Sequence, residues 1–219
     1  MLVDELTFDG AGLVPVLAQD RHTGEVRMVA YADREAVQRT LDTGQAHFYS
    51  RSRATLWRKG ESSGNTLAVA EVWADCDRDA LIYLVDPVGP TCHTGRRSCF
   101  FAPIGRDIRG RSAAPTFVLL GHILQARTDA TAERSYTRSL LDQGAAKIGA
   151  KLCEEAEELG QALKGESDTR VVSEAADVLY HLMVGLLSRG QSLRDVAAEL
   201  HRRFGQSGLD EKASRAGGD

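Results

Sequence analysis

The hydrophobic pattern changes its period near the middle of the chain. Up to about residue 103, apolar residues form short runs bounded by Gly, Asp or Asn, which is typical of β-strands. These runs lie at 13–17, 26–31, 46–49 and 80–85. After residue 117 the apolar residues recur with the 3.6-residue period of helices. The helical stretches lie near 117–127, 136–164, 169–189 and 192–204.

This change of period predicts a multidomain protein. The first domain, 1–103, is expected to be α+β and mostly β, with one helix at 34–43 between Asp33 as N-cap and Gly44 as C-cap. The second domain is expected to be an all-α helical bundle. Its predicted range is 116–206, preceded by a Gly-, Arg- and Pro-rich linker at 104–115 and followed by a flexible polar tail at 207–219.

The charge balance excludes some functional classes. A net charge of −4 lacks the basic excess that phosphate-backbone binding needs, so we expect no nucleic-acid partner. No uninterrupted apolar run reaches the roughly 20 residues of a membrane span, and the N-terminus is acidic where a signal peptide is basic. We therefore expect a cytoplasmic protein whose four cysteines are reduced and serve metal binding or catalysis.

Three of the cysteines cluster with a histidine. Cys76, Cys92, Cys99 and His93 fall within 24 residues. Three thiolates plus one open position are typical of a catalytic zinc site, and His93, which is next to a proposed ligand in the sequence, is the natural general base beside it. Alternatively, the three cysteines are small buried hydrophobic residues and His93 is a structural histidine. The spacing differs from the Cys-x-x-Cys pair of a zinc finger, so both interpretations stay open.

Three aspartates surround the first of these cysteines. Asp75, Asp77 and Asp79 alternate along the chain, so on a strand they would share one face and Asp75 and Asp79 would lie about 13 Å apart. Sharing one Mg²⁺ therefore requires a turn at this point. The alternative is a solvated acidic turn.

A basic and hydroxyl-rich segment offers a phosphate site. It combines positive charge with hydroxyls and open backbone N–H groups, the groups that bind a phosphate monoester. The candidate residues are Arg51, Lys59, Ser62, Ser63, Gly64 and Asn65, with Arg96 and Arg97 beside the cysteines.

The motifs of the first half resemble those of the phosphoribosyl-AMP cyclohydrolases of histidine biosynthesis. The matching segments are Gly12-Leu-Val-Pro-Val, His47-Phe-Tyr-Ser-Arg-Ser-Arg, Leu56-Trp-Arg-Lys-Gly-Glu-Ser-Ser-Gly-Asn, Asp75-Cys-Asp-x-Asp and Gly89-Pro-x-Cys-His-Thr-Gly-x-x-Ser-Cys99. The resemblance implies Zn²⁺ on Cys76, Cys92 and Cys99, with the ligands shared across a homodimer, and Mg²⁺ on the three aspartates. It also implies that zinc-bound hydroxide attacks C6 of the N1-ribosylated adenine of phosphoribosyl-AMP and that the N1–C6 bond breaks.

Acidic residues form a stripe on two helices of the second half. At ~100° per residue, Glu154, Glu158 and Glu155 fall near 0°, 40° and 100° on one helix, whereas Glu157 points away near 300°. The next helix is apolar over most of its circumference but carries Glu174 and Asp177, together with His181, on a narrow stripe.

These carboxylates need a cation between the helices. Like charges one turn apart repel each other, and Mg²⁺ holding a di- or triphosphate is the simplest partner. Lys147 and Lys151 precede the acids and either contact phosphates or form salt bridges with the glutamates. The alternative for a Glu-rich helix is a solvated face, which is sufficient for Glu157.

The acidic pattern resembles the all-α nucleoside triphosphate pyrophosphatases. Ser135-Tyr136-Thr137-x-x-Leu140 and Ala175-Ala-Asp-Val-Leu-Tyr-His181 narrow the resemblance to phosphoribosyl-ATP pyrophosphatase. One departure is Cys153, which stands where that family usually has Gly and which we expect to be a packed core thiol, not a zinc ligand.

The two resemblances concern consecutive reactions of one pathway. They imply a bifunctional hydrolase that converts phosphoribosyl-ATP to phosphoribosyl-AMP and pyrophosphate in the second half and opens the adenine ring in the first. The alternative is a general nucleotide pyrophosphatase fused to a zinc-stabilised binding module. We also expect at least a dimer, because the apolar helix 171–187 needs more covering than three companion helices provide.

Overall fold

The computed structural model of the chain describes residues 3–104, 113–129, 131, 133 and 135–204. The chain divides into two compact units, Met1–Pro115 and Thr116–Asp219. The first unit is strand-rich and the second is helical, as the change of period predicted. Most of the predicted linker and all of the predicted tail at 207–219 lie outside the described residues.

The first unit is built on one six-stranded sheet. Its strands are β1 (Val14–Asp20), β2 (Val26–Ala32), β3 (His47–Ser50), β4 (Thr55–Arg58), β5 (Leu67–Ala74) and β6 (Leu81–Pro87). The strand order is β4-β3-β2-β1-β6-β5, with β1 and β6 parallel and the other neighbours antiparallel. The sequence did not predict β4 and β5, which lie at the two edges and present few buried residues.

Helix α1 (Arg34–Thr43) connects β2 to β3 and has the predicted caps. The Asp33 side chain accepts a hydrogen bond from the Ala36 N–H at 2.8 Å. Gly44 ends the helix in the left-handed region at φ 64° and donates to the Thr40 carbonyl at 2.9 Å.

The core of the first unit lies against the central strands. Val14, Val16 and Ala18 of β1 are fully buried at every second position. Tyr83 of β6 is also fully buried, and its ring lies 5.8 Å from that of Phe48 on β3. This sheet gives a rigid support to the loops that leave its strands.

The second unit contains α2 (Thr116–Ala126), α3 (Tyr136–Ala162), α4 (Asp168–Ser188) and α5 (Leu193–Arg203). Side-chain caps begin three of them, at Ser135, Ser167 and Ser192. Helix α3 is interrupted at Gly144, whose φ of 82° only glycine adopts readily. The core residues are Leu124, Leu140, Ile148, Met183 and Val184.

Helix α4 is apolar but poorly covered within one chain. By length and composition alone it could cross a membrane, yet Arg170, Glu174 and Asp177 lie within it. Only 22% of its apolar stretch is buried, and Val172 is 68% exposed. Among the described residues, much of its apolar surface is therefore only partly covered.

Candidate metal and substrate sites

The loop that carries two of the cysteines is held against the beginning of β2. The Cys99 N–H donates to the Arg27 carbonyl at 2.9 Å, and the Ser98 hydroxyl donates to the Val26 carbonyl at 2.8 Å. Within the loop, the Cys92 N–H donates to the Arg96 carbonyl at 2.9 Å, which closes a turn. This folding brings Cys92 and Cys99 next to each other although they lie seven positions apart in the sequence.

The two thiols have opposite pKa shifts. The Thr94 hydroxyl, 3.1 Å from the Cys92 sulfur, lowers the pKa of Cys92 by hydrogen bonding to its thiolate. Cys99 is exposed as a residue, but desolvation of its thiol and then the neighbouring Cys92 raise its pKa. Two adjacent thiols cannot both ionise cheaply without a cation, and a soft divalent ion such as zinc fits this donor pair.

Cys76 lies apart from this pair. It is exposed in the turn after β5, with its sulfur 3.9 Å from the Asp77 carboxylate. Across the described ranges, no group of three metal-ligating side chains includes a cysteine. One chain therefore joins two of the three predicted zinc ligands and leaves the third at another place.

A buried ion pair supports the cysteine loop. Arg27 and Glu25 are each 1% exposed, and Nη1 of Arg27 lies 3.0 Å from the Glu25 carboxylate. Arg27 also donates to Thr91 Oγ1 at 3.1 Å and to the Gly89 carbonyl at 3.4 Å, so it holds the residue that precedes Cys92. Sequence reasoning missed this pair; its only signal was a charged residue within the apolar run of β2.

Lys59 lies beside the thiols and not on the exposed turn that follows it. It is buried, and its Nζ donates to the Asn65 carbonyl at 3.2 Å. Burial lowers the pKa of Lys59, whereas the negative charge of Cys99 and Cys92 favours its protonated form. A buried cation thus faces the thiol pair.

The predicted phosphate-binding turn packs against the cysteine loop. Gly60 and Gly89 both have positive φ, and a Cβ on either would lie within 2.6 Å of Asn65 atoms. Gly89 therefore lets the cysteine loop approach the turn, whereas Gly60 lets the turn close on its own Asn65. The remaining turn residues, Ser62, Ser63 and Gly64, are exposed.

The other candidate residues of the first half lie at the surface. His93 is exposed, with Nδ1 3.9 Å from the Cys92 sulfur. Arg96 covers the Phe101 ring at 4.5 Å, Arg51 covers the Tyr31 ring at 3.9 Å, and Arg97 lies 3.8 Å from buried Glu25. His93 is thus next to the thiol pair and open to solvent, as a base that meets a substrate must be.

The three aspartates converge at a turn. Strand β5 ends at Ala74, and the Asp75 carboxylate accepts hydrogen bonds from the Asp79 and Ala80 N–H groups at 3.0 and 3.2 Å. Oxygen atoms of Asp75, Asp77 and Asp79 lie within 4.8 Å of one another, as sharing an ion requires. The Asp77 charge is the main cause that raises the pKa of Asp79, so the cluster repels itself.

Three carboxylates of the second half also converge. Oxygen atoms of Glu155, Glu158 and Glu174 lie within 4.8 Å of one another. Glu174 is 2% exposed, and burial raises its pKa. Glu154 and Asp177 do not belong to this trio; Glu154 is exposed and bonded to Lys151, and the charge of Asp177 contributes to the raised pKa of Glu174.

Two basic side chains neutralise these acids. Lys151 Nζ lies 2.8 Å from Glu154 and 3.0 Å from Glu155, so of the two predicted roles its contacts are those of a salt bridge. Hydrogen bonds to these glutamates raise the pKa of Lys151 above its usual range. Arg170 contacts Glu174 and Glu158 at 2.7 and 3.6 Å. Lys147 is exposed, and its charge helps to lower the pKa of Glu154.

Contacts between side chains join the two motif segments of this half. The Thr137 and Tyr180 hydroxyls lie 2.8 Å apart, and the Tyr136 hydroxyl lies 3.2 Å from Nε2 of buried His181. His181 Nδ1 lies 2.9 Å from the Asp177 carbonyl, an acceptor, so the contact requires a proton on Nδ1. The same Nδ1 lies 3.8 Å from Glu155, so this network borders the acidic trio.

The outward face of α3 carries Glu157 and Cys153, and both are exposed. The prediction for Glu157 is therefore confirmed, whereas the prediction of a packed core thiol at Cys153 is wrong. Residues four positions apart on a helix differ by one full turn plus about 40°, so Cys153 lies on the same solvent-exposed face as Glu157.

Comparison with known proteins supports both halves. Residues 28–101 match the phosphoribosyl-AMP cyclohydrolase family model, and residues 119–204 match that of phosphoribosyl-ATP pyrophosphohydrolase. The histidine biosynthesis bifunctional protein of Wolinella succinogenes is 44% identical, with coverage of 98% of this chain and 97% of the relative.

Two further relatives carry the same bifunctional name. The Aquifex aeolicus protein is 46% identical over 91% of this chain and 98% of its own length. The chloroplastic Arabidopsis thaliana protein is 40% identical over 98% of this chain and 80% of its own length. Both domains, in the same order over nearly the whole length, exclude the predicted alternative of a pyrophosphatase fused to a binding module. The chain belongs to the bifunctional phosphoribosyl-AMP cyclohydrolase and phosphoribosyl-ATP pyrophosphohydrolase family of histidine biosynthesis.

Proposed function

We propose that the first half opens the adenine ring of phosphoribosyl-AMP at a zinc site made by Cys76, Cys92 and Cys99. The adjacent Cys92 and Cys99 thiols, faced by buried Lys59, are the observation that carries this proposal. When bound, zinc supplies activated water at neutral pH. The chain's own residues hold the thiolates, balance their charge and move the proton.

Each supporting residue has a distinct task in this proposal. The Thr94 hydroxyl stabilises the Cys92 thiolate, and His93 accepts a proton from water and returns it to the ring nitrogen. Buried Arg27 orients the cysteine loop through its hydrogen bonds to the Thr91 hydroxyl and the Gly89 carbonyl. The turn of Ser62, Ser63 and Gly64 holds the substrate phosphate with its hydroxyls and N–H groups.

The zinc site is completed by a second chain in this proposal. Cys76 lies apart from Cys92 and Cys99 in one chain. A homodimer would bring Cys76 of one chain to Cys92 and Cys99 of the other, so that all three bind one zinc ion. The apolar surface of α4, which the described residues cover only in part, gives the second half an independent reason to associate. Magnesium at Asp75, Asp77 and Asp79 lies in the same turn as Cys76 and would relieve the repulsion among these carboxylates.

The second half is proposed to hydrolyse the α–β phosphate linkage of phosphoribosyl-ATP with magnesium. Glu155, Glu158 and Glu174 would hold the ion, since hard carboxylate oxygens are the ligands that magnesium prefers. Glu154 and Asp177 complete the predicted acidic set at its margin, and exposed Lys147 remains the candidate for phosphate contact. Magnesium there neutralises the leaving pyrophosphate.

The proposal is tested by supplying each substrate separately to metal-stripped protein. Adding Mg²⁺ alone should restore pyrophosphate release from phosphoribosyl-ATP, and ring opening of phosphoribosyl-AMP should require Zn²⁺. Full ring opening in zinc-free protein would refute the zinc assignment.

A cytoplasmic location is also part of the proposal. The Arabidopsis thaliana relative is named as chloroplastic.

A further inference from the structure

We propose that Arg170 is a built-in counter-cation of the acidic helix site, which stabilises the site without metal and competes with magnesium for it. The inference rests on the proposed function, because it takes Glu155, Glu158 and Glu174 as the metal-binding carboxylates. It concerns how tightly the site holds its ion and what the site does when the ion is absent.

The guanidinium lies at the carboxylates that an ion would use. Nη1 is 2.7 Å from Glu174 Oε1, and Nη2 is 3.6 Å from Glu158 Oε2. A third contact, from Arg170 Nε to Glu166 Oε2 at 3.5 Å, holds the other edge of the guanidinium group. Arg170 thus contacts Glu174 on its own helix α4 and Glu158 on α3, two of the three converging carboxylates.

The charge balance explains why a cation is needed there. Glu174 is only 2% exposed, so its ionised form lacks hydration and must have a partner. Arg170 is the side chain whose charge favours the carboxylate, while Glu158 and Asp177 oppose it. Lys151 cannot replace Arg170, because its two contacts are to Glu154 and Glu155.

Arg170 and a bound divalent ion exclude each other. Arg170 already contacts the Glu174 and Glu158 carboxylates, and an ion held by the same carboxylates would lie close to the guanidinium and repel it. Arg170 is 52% exposed and has a long flexible stem, so it can leave without repacking the core. Metal binding must therefore break the ion pair between Arg170 and Glu174. The free energy of that ion pair reduces the net free energy of metal binding.

The test measures metal binding directly by titrating Mn²⁺ and following the free ion by electron paramagnetic resonance. Full-length protein is used with Asp77→Asn in every sample, so that the aspartate turn contributes less. Arg170→Gln should bind Mn²⁺ about three- to tenfold more tightly than the parent, the range expected for loss of a partly buried ion pair. Arg170→Lys, which keeps the charge, should remain near the parent.

Arg138→Gln is the matched control. Arg138 pairs with Asp142 one turn along α3 at 2.7 Å and contacts none of the trio, so its loss should leave the Mn²⁺ affinity unchanged. In EDTA, Arg170→Gln should also unfold at a lower temperature than the parent. Saturating Mn²⁺ should then raise the unfolding temperature of the variant by more than it raises that of the parent.

Equal or weaker Mn²⁺ binding by Arg170→Gln would overturn the inference. Failure of the proposed function would look different, because Glu158→Gln would then leave the Mn²⁺ affinity of the parent unchanged. The two failures are therefore distinguishable in one set of titrations.

Discussion

Arg27 donates from Nε to Thr91 Oγ1 at 3.1 Å, so a fully buried guanidinium contacts the residue that precedes Cys92. The pair of Arg27 and Glu25 is buried beneath a loop whose own residues are mostly exposed. Such a pair is costly to bury, and its hydrogen bonds to the loop offset part of that cost. It fixes the loop that presents Cys92 and His93.

Thr91→Val should loosen this loop without breaking the ion pair below it. Loss of the buried acceptor for Arg27 should cost about 1–3 kcal/mol of stability. The variant should release zinc to a coloured chelator at a higher rate than the parent protein does. Thr128→Val is the control, since its hydroxyl bonds only within the second half and should not change the release rate.

Cys92→Ser should abolish ring opening and leave pyrophosphate release intact. The two sets of site residues belong to separate compact units, so a defect in one need not reach the other. Each activity is measured with its own substrate, and circular dichroism verifies the fold. Loss of both activities in a folded variant would argue for a single shared site.

Mixing Cys76→Ser with Cys92→Ser should restore ring opening. If two chains share the zinc ligands, each mixed dimer has one intact site and one site that lacks two ligands. Random pairing then gives about a quarter of wild-type activity. Each variant alone should be inactive, and light scattering should detect a dimer. A mixture as inactive as its components would contradict shared ligands.

Glu158→Gln should abolish pyrophosphate release, whereas Glu157→Gln should change it by less than about twofold. Glu158 belongs to the converging trio, whereas Glu157 lies about 100° away around the same helix and does not belong to it. If the helix were merely a solvated face, both neutralisations would be mild, because each would remove a repulsion of a few tenths of a kcal/mol. Equal small effects would favour that alternative. Ring opening should survive both changes.

Tyr83 should make stability depend on alkaline pH. Burial raises its pKa from 10.0 to about 12. The unfolded chain then loses the phenolic proton first, so the contribution is complete below pH 10 and disappears as pH rises through about 12. Its size is on the order of 2–3 kcal/mol.

Tyr83→Phe keeps the ring in the core and removes this titration. Urea unfolding of both proteins at pH 9 to 11 should show a steeper loss of stability in the parent, provided that the folded state persists. Identical pH slopes would show that Tyr83 does not titrate differently in the folded and unfolded states.

The sequence by itself determined the two domains, the caps of α1 and the residue types of both sites. These features are local, because the period of an apolar run and the residue before a helix depend on a few neighbouring positions. The motif segments carried enough chemistry to identify two enzyme families. Edge strands β4 and β5 were missed because most of their residues are not buried and leave no alternating pattern.

Only the tertiary structure decided which of these residues meet. It joined Cys92 to Cys99 but not to Cys76, converged Glu155 and Glu158 on Glu174, and buried Lys59 beside the thiols. It also revealed Arg27 as a support for the cysteine loop, with hydrogen bonds across more than sixty positions of sequence. Such contacts depend on strand order and helix packing, which no local pattern of residues encodes.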